Sequence, residues 1–162
     1  TVTHIDEIEV GAPQTSIGNT SFYLDDGSEP LYPFGYGLSY SEFRYENIHQ
    51  SHSAFEIGES IEVSVDLTNL GSCTAEEIVQ LYVRDLVANV TRPVRELKGF
   101  QKIQLHAGET KRVSFNLSSQ ELEFYGRDMK PQVEAGHFHV WVGGDSNADL
   151  WAEFELLEKS SL

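Results

Sequence analysis

Six histidines, one cysteine and 26 acidic residues are the side chains of this 162-residue chain with the most chemistry to offer. His137 and His139 stand two apart in an alternating stretch and so share one face of a strand, while His49 and His52 bracket a loop. A zinc site needs four convergent ligands, and neither a His-Glu-x-x-His run nor paired cysteines occur. These histidines read as surface residues. No loop of regularly spaced acids closed by a glutamate is present for calcium. Cys73 lies in Gly-Ser-Cys-Thr-Ala-Glu-Glu, beside acids. Nearby negative charge raises a thiol pKa, the wrong direction for a nucleophile. No Gly-x-Ser-x-Gly elbow occurs. Glycosidase chemistry needs two carboxylates at a set separation. With 26 acids such pairs are inevitable, so Glu76-Glu77 and Glu121/Glu123 read as solvated faces. Gly35-Tyr36-Gly37 and Gly143-Gly144 lack the Lys-Ser/Thr or helix start of a phosphate cradle. Asn19, Asn89 and Asn116 head Asn-x-Ser/Thr sequons, which matter only on a eukaryotic secretory route. The expectation is therefore no catalytic residue, no metal and no cofactor.

The elements that hold these side chains are strands. Phe43, Tyr45 and Ile48 mark the first. Ile61, Val63, Val65 and Leu67 alternate with polar residues as in a half-buried strand. Asn69-Leu70-Gly71-Ser72 turns the chain. Ile78 to Asp85 is a more continuous apolar run broken by Gln80, which predicts a central strand. Leu97 to Leu105 contains Gly99, where a bulge or bend is expected. Val113, Phe115 and Leu117 alternate after the Ala107-Gly108-Glu109 turn. Residues 118–125 predict one helical turn capped by Ser118 or Ser119. Phe138, Val140 and Val142, then Leu150, Ala152, Phe154 and Leu156, complete the pattern. The prediction is an all-β, antiparallel, seven-stranded sandwich of the immunoglobulin/fibronectin III type, preceded by an irregular N-terminal linker.

Residues 1–40 hold no lysine or arginine, six acids and many turn formers. Forty residues of loop inside one compact domain would be anomalous. They read as a tail or linker from a preceding α/β domain, with the sandwich at 41–162. The chain starts at Thr1 with no leader-like segment, and reads as cut from something longer. Tyr32, Phe34, Tyr36 and Tyr40 close the tail. Aromatics so dense favour burial, and the intervening glycines let the backbone approach another surface. Packing against another domain is the expectation; packing on its own domain is the alternative.

Length and charge set bounds. A chain of 162 residues can bury a core, but a complete (β/α)₈ barrel needs about 200 residues or more. A net charge of −15 argues against nucleic acid or an anionic membrane surface as partner, and no apolar run is long enough to span a membrane. Against that background seven of the 11 basic residues fall between Arg84 and Arg112, opposed there by only three acids. Either they neutralise the domain's own acids or they form a docking surface for an acidic partner. Arg92, Pro93 and Arg95 lie in the stiffened loop of this segment. Trp141 and Trp151 have the opposite parity to the apolar residues of their strands, so both are expected to be exposed, as candidate sugar-stacking residues.

Several motifs in register resemble one family. Leu31-Tyr32-Pro33-Phe34-Gly35-Tyr36-Gly37-Leu38-Ser39-Tyr40 with Phe43 is similar to the segment leading into the last domain of family 3 glycoside hydrolases, the β-glucosidase/β-xylosidase family. Val63–Gly71, Val79–Val83, Arg92–Phe100, Ala107–Thr110, Gly136–Phe138 and Val142-Gly143 fit in the same order. The resemblance spans about residues 31–157 and is nearest to the bacterial periplasmic β-glucosidases. It implies a C-terminal fibronectin type III-like domain. In the parent, an N-terminal barrel would carry an Asp nucleophile and an α/β domain the acid/base Glu. No position here matches either. Implied too are a β-glucoside substrate cleaved with retention by the parent, and a periplasmic or secreted location. The expected role is a non-catalytic module that docks through Tyr32, Phe34, Tyr36, Tyr40, Arg92, Pro93 and Arg95. The alternative is an autonomous carbohydrate-binding or protein-interaction module using Trp141 and Trp151.

Overall fold

Alternating apolar residues with one face to bury force strands into two sheets, and the computed structural model has that arrangement. It describes residues 31–87 and 93–159. The chain divides into two compact units, Thr1–Tyr32 and Pro33–Leu162. Of the first, only Leu31 and Tyr32 are described, and both are exposed.

The second unit holds the strands. They are β1 (Phe43–Gln50), β2 (Ala54–Glu56), β3 (Ser60–Asn69), β4 (Ala75–Asp85) and β5 (Glu96–Leu105). They continue as β6 (Thr110–Ser118), β7 (Phe124–Tyr125), β8 (Pro131–Gln132), β9 (Gly136–Gly143) and β10 (Trp151–Leu157). One sheet has the order β1-β3-β6; the other runs β2-β10-β9-β4-β5; β7 and β8 form a separate ribbon. The long strands are those expected from alternation, and they pair antiparallel. The three-residue β2, parallel to β10, carried no sequence signal.

The core lies between the sheets. Ile61, Val63, Val65 and Leu67 of β3 and Val113, Phe115 and Leu117 of β6 face Val79, Leu81 and Val83 of β4. Phe138, Val140 and Val142 of β9 and Phe154 and Leu156 of β10 extend it. Phe138 and Phe154 stack at 5.3 Å, and Phe55 of β2 sits 5.6 Å from Phe154. Each such side chain contributes about 1.5–3 kcal/mol when fully buried, so the sandwich has a core of its own.

Three local devices keep the sheets in register. On β4 and β5, Leu81 faces Gly99 but Tyr82 faces Leu97, leaving Lys98 as an extra residue. This is the expected irregularity at Gly99, where a Cβ would come within 3.1 Å of the Phe115 ring on the opposite sheet. Asn69, fully buried, ties two turns together. Its Nδ2 donates to the carbonyls of Cys73 (2.8 Å) and Leu105 (3.1 Å), and its Oδ1 accepts from the Gly71 amide (2.9 Å). The predicted helical turn is a 3₁₀ turn, Ser119–Leu122. The Ser118 amide donates to the Glu121 carboxylate at 2.6 Å, satisfying a donor the turn leaves free.

Candidate functional site

Polar residues on a strand buried on both faces must find partners, and β4 shows what these partners are. Gln80 and Tyr82 point away from the core yet are buried. The segment before β1 covers them. Gln80 Nε2 donates to the carbonyl of Gly35 (3.0 Å) and to that of Gly144. Tyr82 Oη donates to Gln80 Oε1 at 2.5 Å and lies 3.2 Å from the Phe34 carbonyl. The Ser146 amide donates to that same carbonyl at 2.9 Å. Burial, reinforced by the nearby Asp145 charge, raises the Tyr82 pKa and keeps its proton in place; Arg95 opposes the shift. Gly35 adopts φ +82°, and a Cβ there would overlap the Gln80 side chain. Only glycine meets both demands.

This clasp fastens the arm of residues 33–40 by its backbone and leaves its side chains outward. Leu38 and Tyr40 are 90% and 103% exposed, and Phe34, though edge-on to Tyr82 at 6.5 Å, is 67% exposed. Tyr36 is partly exposed, and its amide closes a turn on the Pro33 carbonyl. Between the arm and strands β1, β4 and β5 runs an open groove of about 650 Å³ walled by Phe34, Tyr36, Phe43 and Phe100. Phe100 itself is 68% exposed. At the groove's floor Tyr45 Oη donates to Glu77 Oε1 at 2.7 Å. Burial raises the Glu77 pKa; the Tyr45 hydrogen bond opposes this and the Asp145 charge adds to it. Burial and the Glu77 carboxylate raise the Tyr45 pKa far above the ordinary phenol range. The surface combines aromatic edges with an acidic floor, an arrangement suited to binding.

Other sequence-selected residues fall elsewhere. Arg92 lies outside the described residues. Pro93 is exposed. Arg95 is partly buried: Nη1 donates to the carbonyls of Ser146 (2.5 Å) and Ala148 (2.8 Å), and the guanidinium lies 4.2 Å over the Trp141 ring. That contact corrects one expectation. Trp141 has the outward parity but is only 7% exposed, because β9 is an interior strand and Arg95 lids the indole. Trp151 is 50% exposed, as its parity predicts. The basic segment largely meets its own acids: Lys98 with Glu96 (2.6 Å), Lys102 with Glu76 (2.6 Å), Lys111 with Glu109 (3.2 Å) and Arg112 with Asp66 (2.8 Å). Hydrogen bonds from Arg112 and then Asn47 hold the Asp66 pKa low. Cys73 is exposed, 3.7 Å from the Ser41 hydroxyl. His137 and His139 do share a face, and both reach Glu153. Among the described residues no three His, Cys, Asp or Glu side chains converge as metal ligands would. No helix there is long and apolar enough to cross a membrane.

Sequence reasoning missed the clasp, and its reading of Glu76-Glu77 as a solvated face is corrected for Glu77, which is half-buried and accepts from Tyr45. The one available signal was Gln80, a polar residue interrupting an apolar run.

Comparison with known proteins bears on this surface. Residues 77–146 match the fibronectin type III-like domain family. The chain is 47% identical over 134 residues to a putative β-xylosidase of Formosa agariphila, covering 83% of this chain and 18% of that protein. It is 41% identical over 138 residues to the periplasmic β-glucosidase of Salmonella typhimurium, covering 85% of this chain and 18% of that protein. Among solved structures, the β-glucosidase of Listeria innocua in complex with isofagomine superposes with a TM-score of 0.77 at 38% identity. That match covers 94% of this chain and 22% of the other. The chain thus spans about a fifth of the length of the proteins it resembles.

Proposed function

We propose that this chain, with its match to the fibronectin type III-like domain family and to a C-terminal portion of β-glucosidases of the family 3 glycoside hydrolase type, is the non-catalytic docking module of such an enzyme. The arm of residues 33–40 and the exposed side chains of β5 pack against the barrel and α/β domains of the same polypeptide. They fix the placement of those domains and so stabilise the enzyme. The parent hydrolyses terminal β-D-glucosyl residues with retention, in the periplasm or outside the cell. A relative named as a periplasmic β-glucosidase supports the compartment.

The observation that carries the reading is the arm. Gln80 and Tyr82 commit buried polar groups, and Gly35 a left-handed backbone open only to glycine, to hold it, yet Leu38 and Tyr40 are left almost wholly exposed. A sandwich with a complete core gains nothing itself from such side chains. A partner surface does, at about 1.5–3 kcal/mol for each large apolar group buried.

Two measurements test it. An immunoblot of the source cells should show this sequence in a polypeptide far above 18.2 kDa; a band at that mass overturns the reading. In the longer enzyme, the double variant Leu38→Ala/Tyr40→Ala should lower the melting temperature by several degrees, with kcat/KM at low temperature little changed. The same double variant in the 162-residue chain should melt like the parent chain. Unchanged melting of the longer enzyme would refute docking through the arm.

A further inference from the structure

The outward face of the five-stranded sheet carries a feature the docking arm does not use. Backbone register sets two adjacent rows across it. Trp151, Trp141 and Tyr82 lie side by side on β10, β9 and β4, and the next row is Glu153, His139 and Arg84. In the aromatic row Trp141 is lidded by Arg95 and Tyr82 is covered by the arm. Trp151 stays open, 50% exposed. Its ring is nonetheless fixed. The His139 imidazole packs on it with centroids 4.5 Å apart and planes tilted by 37°. His139 Nε2 lies 3.4 Å from Glu153 Oε2, and His137 Nδ1 lies 3.1 Å from Glu153 Oε1. The indole is therefore braced on one side by His139, and exposed groups that donate and accept hydrogen bonds follow along the sheet: Glu153 and Arg84 in the adjoining row and His137 one row further.

An aromatic plane beside a row of exposed polar groups suits one class of ligand. A pyranose ring has an apolar C–H face and a rim of hydroxyls. A protein hot spot is different: it sits among apolar contacts that exclude water, whereas here the row adjoining the open indole holds charged groups, Glu153 and Arg84, that are exposed. We propose that Trp151, braced by His139, with Glu153 and Arg84 in the adjoining row and His137 beyond it, is a binding subsite for a neutral saccharide. The indole stacks on the C–H face of one sugar, and the carboxylate, guanidinium and imidazole take up hydroxyls along the saccharide chain. Trp141 is not part of the platform, because Arg95 covers it. The subsite does not depend on the docking role: it lies on a different set of side chains and needs no other domain.

The test uses the 162-residue chain, which has two tryptophans. Cellopentaose and xylopentaose are titrated in separate arms, read by calorimetry and by tryptophan fluorescence. Saturable binding of at least one is expected, with a blue shift in emission. Trp151→Ala should weaken it at least about tenfold, equivalent to ~1.4 kcal/mol, while Trp151→Tyr keeps it within about threefold. Glu153→Gln and Arg84→Ala should each weaken binding several-fold without changing the melting temperature. If neither sugar binds saturably up to ~10 mM, an affinity equivalent to only about 3 kcal/mol, the subsite does not exist. Equal affinity in Trp151→Ala would also overturn it. Should that variant fail to fold, unchanged affinity in both Glu153→Gln and Arg84→Ala overturns the proposal instead.

Discussion

A single buried amide does much of the joining at one end of the sandwich. Asn69 satisfies two carbonyls and one amide from different turns with one side chain. Removing it takes a partner from the buried Leu105 carbonyl and from the half-buried Cys73 carbonyl and Gly71 amide, and a buried group left unpaired costs about 1–3 kcal/mol. Asn69→Ala should therefore lower unfolding free energy by about 3 kcal/mol in urea titration of the isolated chain. A change of a few tenths would mean that water replaces the amide. Glu77 gives a prediction of a different kind. Burial raises its pKa, so the folded state holds the proton more tightly than the unfolded chain does. Stability then falls as pH rises from the ordinary carboxylate value through the elevated one. Glu77→Gln keeps an acceptor for Tyr45 and removes the titration, so its stability curve should lose that fall. Parallel curves for the two proteins between pH 4 and 7, which spans the ordinary value of ~4.3 and the region above it, would contradict this assignment.

Elements were legible where one face had to be apolar. The alternation of Ile61, Val63, Val65 and Leu67 placed β3, because a one-residue slip would turn all four side chains to solvent. The nearly continuous apolar run of Ile78 to Asp85, broken by Gln80, predicted an interior strand, and β4 lies between β9 and β5; Gly99 located the bulge. The clasp was not legible, because its parts are Gly35, Gln80 and Gly144, brought together by the fold rather than by spacing. Trp141 failed for the same reason: parity predicts which face a side chain takes, while the Arg95 that covers that face comes from another strand's approach loop. The arm itself is the element most sensitive to one change. Gly35→Ala forces an unfavourable φ and a collision with Gln80, costing about 1–3 kcal/mol at that position. The arm should come free while the sandwich stays folded. Limited proteolysis should then cut residues 33–40 several-fold faster, with little change in the melting of the core. Equal cleavage rates would show that the arm holds by other contacts.

For the molecule as a whole, charge decides what the ion pairs do not. The chain carries −15, and its basic residues are concentrated between Arg84 and Arg112, where four of them are matched by acids of the same sandwich. Surface pairs contribute little to stability, and salt weakens them further. Salt also screens the mutual repulsion of the remaining acids, Glu77 and Asp145 among them, whose interaction already raises the Glu77 pKa. The two effects have opposite sign, and the surplus of 26 acids over 11 bases means that repulsion is the larger. The isolated chain should therefore melt higher in about 0.3 M than in about 0.01 M sodium chloride, where screening lengths differ roughly fivefold. A calorimetric scan at fixed pH measures this directly. A lower melting temperature in salt would mean that the local ion pairs outweigh the net charge. In the longer enzyme the rise should be smaller wherever the docked surface is positive, because there the neighbouring domain already neutralises the acids that salt would screen.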